Sequence, residues 1–101
     1  MSIPRGTTPY NYFDVPVDLT DAAVIYVTYA QGGCTVIEKT RDDLTVTAEE
    51  ISLQLSQTDT LALDSKLPVD IQIRARFADG NAIESTIMRT SVDRIIKDGV
   101  I

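Results

Sequence analysis

The sequence predicts an all-β domain: an immunoglobulin-like antiparallel β-sandwich of about seven strands with one short helical turn. Three observations carry this. Apolar and polar residues alternate strictly from Val69 to Phe77. Turn signals recur every 8–12 residues or so, as in a sandwich. No stretch has the 3.6-residue periodicity of a long amphipathic helix. A small barrel is the alternative architecture. At 101 residues the chain makes one domain with one core. Residues 1–8 form an extended N-terminal arm and residues 97–101 a C-terminal tail.

Near the start, Tyr10 to Val17 reads as a strand carrying Tyr10, Tyr12, Phe13, Val15 and Val17. Pro9 and Pro16 lack amide donors and confine it to an edge. Ala22 to Gln31 is rich in β-branched and aromatic residues and nearly all apolar, which predicts a central strand covered on both faces. Gly32-Gly33 turns the chain into Cys34 to Arg41, with Val36 and Ile37 as its apolar core. Leu44 to Thr47 is a short strand, and Ile51, Leu53 and Leu55 mark the next.

Ser56-Gln57-Thr58-Asp59 has the spacing of a helix N-cap, so one helical turn crosses between the sheets before Pro68. In Val69–Phe77 the residues Val69, Ile71, Ile73, Ala75 and Phe77 share one face, which predicts a half-buried strand. Asp79-Gly80 suits a type I′ hairpin turn. The last strand spans Ala82 to Val92, and a break in alternation at Ile87-Met88 marks a bulge.

Composition excludes several function classes. Lys and Arg number 9 against 15 Asp and Glu, a net charge of −6, with no basic cluster. Neither nucleic acid nor an anionic membrane surface is an expected partner. No apolar run reaches the ~18 residues of a membrane span, and the first residues lack a signal-peptide core, so synthesis in a reducing cytoplasm is expected. The single Cys34 allows no internal disulfide and no thiolate zinc site, and histidine is absent. Cys34 therefore has no imidazole to activate it and reads as a small strand residue. No cofactor and no metal are expected. The acids Asp42, Asp43, Glu49, Glu50 and Asp79 fall at turns, which argues against a carboxylate-pair hydrolase. A weak divalent-ion cluster of Asp18, Asp21, Asp42 and Asp43 is a minor alternative. The chain is not expected to be an enzyme.

Candidate interaction residues lie at the ends and on the predicted edge. Ile3, Pro4 and Arg5 belong to the arm, and Ile95, Ile96, Val100 and Ile101 give the other end an aliphatic character suited to docking on a neighbouring subunit. Tyr10 and Tyr12 are the one aromatic pair able to stack on a sugar, which would make the domain a host-surface carbohydrate-binding module.

Four segments also carry a resemblance: Arg5-Gly6-Thr7-Thr8-Pro9, Ala30-Gln31-Gly32-Gly33, Leu55-Ser56-Gln57-Thr58-Asp59-Thr60-Leu61 and Arg94-Ile95-Ile96-Lys97-Asp98-Gly99-Val100-Ile101. Together they resemble a family of small proteins encoded among the virion structural genes of phages and prophages of Gram-positive bacteria. The layout is also similar to the N-terminal β-sandwich domain of phage upper baseplate proteins. The resemblance covers nearly the whole chain and implies a noncatalytic virion component in the tail or baseplate. A capsid decoration or head-fibre base protein would fit the same residues. It implies protein partners, either further copies or other virion proteins, and carries over no defined site.

Overall fold

The computed structural model describes residues 1–101. Nine strand segments follow in order: β1 (Ser2–Pro4), β2 (Tyr10–Asp14), β3 (Val24–Gln31), β4 (Cys34–Thr40), β5 (Thr45–Val46), β6 (Glu50–Gln54), β7 (Val69–Arg76), β8 (Ala82–Glu84) and β9 (Met88–Asp93). One short helix, α1 (Gln57–Leu61), lies between β6 and β7. Two sheets result, one of six strands in the order β1-β9-β7-β3-β4 with β8 also on β7, the other of three in the order β2-β6-β5. Facing sheets with these crossovers make an immunoglobulin-like sandwich, and the addition of β4 beside β3 is the variable-type extension.

The core follows from period two. In β7 the inward set is Val69, Ile71, Ile73 and Ala75, all buried. They meet Ile25, Val27 and Tyr29 of β3 and, from the smaller sheet, Phe13, Ile51 and Leu53. Asn11 is the polar exception on the inner face of β2. Its amide Nδ2 donates to the Tyr29 hydroxyl at 2.7 Å, a buried bond that ties the two sheets together. Burial pushes the Tyr29 hydroxyl up to about 12, against the opposing effect of the Asn11 bond and with a smaller push from the Asp59 charge.

Local chemistry explains the turns. Gly32 (φ 58°) and Gly33 (φ 80°) both take left-handed backbone, the requirement of a type I′ turn, and join β3 to β4. The Asp79-Gly80 turn is not of that type. Only Gly80 has positive φ, and its N–H bonds to the Phe77 carbonyl. That is the three-residue-loop solution, a turn closed by one left-handed glycine. At α1 the capping box forms as expected: Ser56 Oγ accepts from the Asp59 N–H and Asp59 Oδ2 from the Ser56 N–H.

Several expectations need correction. Ser2–Pro4 is not a free arm: β1 runs parallel to β9, so the sandwich is not wholly antiparallel. Ile3 is fully buried there, and burying an isoleucine contributes about 1.5–3 kcal/mol that, with the ladder bonds to β9, offsets the cost of ordering the segment. The strand from Tyr10 stops at Asp14, and its inward residues are Asn11 and Phe13, so Tyr10 and Tyr12 face solvent. β3 is buried on one face only; its other face leaves Tyr26 40% exposed. The strand expected over 82–92 divides into β8 and β9. Between the register pairs Arg74↔Glu84 and Ile71↔Met88, Gln72 and Ile73 lie opposite Ser85, Thr86 and Ile87. The extra residue is a bulge, held by the Ile73 N–H donating to Ser85 Oγ at 3.0 Å.

Replacing Asn11 by alanine is expected to cost about 1–3 kcal/mol, since it strips a buried hydroxyl of its partner; denaturant unfolding measures this. Stability should also fall with rising pH at the alkaline end. An unfolded tyrosine loses its proton near pH 10. Between that point and about 12, where folded Tyr29 titrates, the unfolded state binds fewer protons and is favoured. The loss should approach roughly 2–3 kcal/mol and be missing in Tyr29→Phe.

Candidate interaction surface

One side of the sandwich is open. The bonds from the Leu55 N–H to the Pro9 carbonyl and from the Val15 N–H to the Glu49 carbonyl fix the phase of the β2–β6 ladder. Asn11 and Phe13 therefore direct their amides to β6, while Tyr10, Tyr12 and Asp14 direct theirs to the unpaired edge. Across the gap from that edge lies the β8–β9 strand, whose β9 half alone is covered by β1. Along the uncovered half runs a cavity of about 350 Å³. Val15, Val17, Leu19, Ile73, Ala75 and Met88 make its walls apolar, and Ile83 sits at its rim, 37% exposed. Its charged residues are Asp14 and Glu84, both acids, and neither has an ion-pair partner.

Serine and threonine in the cavity are structurally committed or peripheral. Ser85 Oγ accepts from Ile73 and donates to the Thr86 carbonyl at 2.9 Å, so its hydroxyl holds the bulge. Asp18 accepts from the Thr20 N–H and hydroxyl, which hold its carboxyl below the usual range. Asp43 caps the turn at Thr40. These acids thus serve local turns. Cys34 is exposed at the start of β4.

The opposite end of the sandwich gathers the remaining candidates around α1. Arg5 Nη2 donates to the Leu61 carbonyl at 3.0 Å and lies 3.5 Å from Asp98 Oδ1. Thr60, fully buried, donates to the Thr7 carbonyl. Gly6 has φ 74°, a left-handed backbone that favours glycine, and it lies against the tip of the Ile95 side chain. Ile95 and, in β1, Pro4 opposite Asp93 are both half-buried. The Gln57 amide clasps Ile101 from both sides, accepting from its N–H at 2.8 Å and donating to its carbonyl at 3.1 Å. Asp59 pairs with Lys39 at 2.8 Å; burial opposes its charge, but the Lys39 and Ser56 bonds prevail and hold its carboxyl below the usual range.

Of the sequence candidates, then, Ile3 belongs to the core, and Pro4, Arg5 and Ile95 to the α1 end. Tyr10 (59% exposed) and Tyr12 (62%) lie on the outer face of β2 with ring centroids 6.3 Å apart. Ile96 is fully exposed, and Val100 and Ile101 are largely so even though Gln57 holds the backbone. The segments around Arg5, Gln57 and Asp98 meet in space. The sequence reading missed the cavity. Its signals were an aliphatic Val15-Pro16-Val17 continuing past the end of a strand and the broken alternation at Ile87-Met88.

No protein-family model matches the chain, and no curated protein sequence does either. Among solved structures it is similar to the immunoglobulin-like domain of mouse leukocyte-associated immunoglobulin-like receptor 1, seen as a strand-swapped dimer. That likeness spans 92% of this chain and 86% of the receptor chain at 14% identity, with a TM-score of 0.51. The V domain of amphioxus IgVJ-C2 also matches, at 13% identity over 91% of this chain and 98% of that one, with a TM-score of 0.40. The mouse domain supports the immunoglobulin-like fold.

Gln57→Ala should release residues 100–101 without unfolding the domain. Amide exchange at Ile101 is expected to accelerate at least tenfold, while global stability changes by less than about 1 kcal/mol, because the bonds lost are exposed.

Proposed function

We propose that this chain is a noncatalytic assembly domain acting through protein–protein contact, and that its setting is a phage or prophage virion, in the tail or baseplate. The observation that carries the assembly reading is the open side between β2 and β8–β9, where unpaired strand amides border an apolar cavity. Soluble domains normally blunt such edges, and an unblunted one is a template for another chain. Commitment of the Ser85 hydroxyl to the bulge supports a noncatalytic reading of the cavity. A sandwich of this class can also pair through a strand, as the mouse receptor domain does in its strand-swapped dimer.

The virion setting rests on the resemblance of the segments around Arg5, Gln57 and Asp98. A capsid decoration or head-fibre base would use the same open side. A host-surface carbohydrate-binding module is favoured by one observation alone, the exposed and stacked Tyr10–Tyr12 pair.

Mass spectrometry of purified particles is expected to find the chain in many copies, with cross-links from the β8–β9 side to a neighbouring protein. Absence from particles overturns the virion setting. Glycan-array binding lost in Tyr10→Ala and Tyr12→Ala would replace assembly with the carbohydrate reading.

A further inference from the structure

Resting on the assembly reading, we infer that the occupant of the open cavity is the 94–97 segment of a second copy of this chain, joined head to tail. Ile96 is its anchor, and Arg94 and Lys97 meet Asp14 and Glu84.

The two surfaces complement each other in chemistry. The cavity is aliphatic with an acidic rim, and both rim carboxylates lack an ion-pair partner. In a chain of net charge −6, a second exposed aliphatic patch would more often be flanked by acids. Here the fully exposed Ile96 stands between Arg94 and Lys97, both exposed and neither in an ion pair. The two nearby acids are engaged elsewhere: Asp98 is turned toward Arg5, and Asp93 accepts from the Ser2 hydroxyl. An apolar anchor ringed by cations thus matches an apolar hollow ringed by anions, which sets register as well as attraction.

Geometry forbids the match within one molecule. β9 begins at Met88, in the cavity wall, and ends at Asp93, beside Pro4 at the α1 end. Five strand steps separate them, roughly 17 Å, and Ile96 lies beyond. Gln57 further fixes the chain after Ile96 to α1. The molecule is 47 Å long, with the hollow toward one end and the anchor at the other. A contact between two different patches is heterologous: it leaves one hollow and one anchor free at the ends of any chain of copies, and closes only as a ring. One aliphatic anchor and two rim ion pairs make a weak contact, suited to assembly where many copies act together.

Charge reversal tests this without disturbing the core, since all four charged residues are exposed. Wild-type protein is expected to form a concentration-dependent ladder in sedimentation velocity, weakened by salt. Asp14→Lys with Glu84→Lys should reduce association at least tenfold, as should Arg94→Glu with Lys97→Glu. Mixing the two variants, or combining all four changes in one chain, should restore the ladder, and Ile96→Asp should abolish it in every background. A wild type that stays monomeric at millimolar concentration, or a four-fold variant that does not recover, overturns the inference. If particles nonetheless contain the chain, the assembly reading survives with a different partner.

Discussion

Two sheets of unequal width must bury one core, and most of the molecule answers to that constraint. Five strands abreast span roughly 20 Å, whereas three span about half that, at close to 5 Å per strand. The smaller sheet therefore cannot cover the inner face of the larger. Coverage is completed at one end by α1, while β1 widens the larger sheet at the side and adds Ile3 to the core. Past the end of β2, Val15 and Leu19 shield part of Ile73 and Ala75. What is still uncovered is the hollow between the β2 edge and β8–β9. The open side is thus a consequence of strand count, not a local defect.

A sandwich of this size commonly relies on an inter-sheet disulfide, and with Cys34 alone that solution is closed. Polar side chains bind the parts instead. Asn11 joins the sheets through Tyr29, Gln31 spans to Asp64 and Leu67, Thr60 reaches Thr7, and Thr90 bonds to the Met1 carbonyl. Each of these side chains is buried, so each bond is protected from water and its loss would leave an unpaired group. They fix where β1, α1 and the loop after α1 sit, and the Arg5–Asp98 and Gln57–Ile101 contacts then place the chain after β9.

Fold class was legible because period two and turn chemistry are local. The β7 alternation and the Gly32-Gly33 turn lie within ten residues, and the Ser56 capping box within four. The errors came from pairings between distant segments. Nothing local distinguishes Ile3 as a core residue; its partner in the sheet is Val92. In β2, nothing local marks Asn11 as an inward residue; its buried bond to Tyr29 and the burial of Phe13 set the inner face and leave the tyrosines in water. In β3, apolar composition predicted cover on both faces that a two-layer fold does not supply. Ile96 alone among the proposed contact residues was legible from sequence, since its hollow exists only after β2 and β8–β9 are brought together.

If the hollow is the working face, it must respond first when the protein meets its partner. Methyl NMR on isoleucine- and methionine-labelled protein can follow this as concentration rises into the assembling range. Ile73, Ile83, Met88 and Ile96 are expected to shift or broaden together, with Ile25 and Ile51 unchanged in the core. Association that leaves those four methyls unmoved while the Tyr10 and Tyr12 ring signals shift would contradict it.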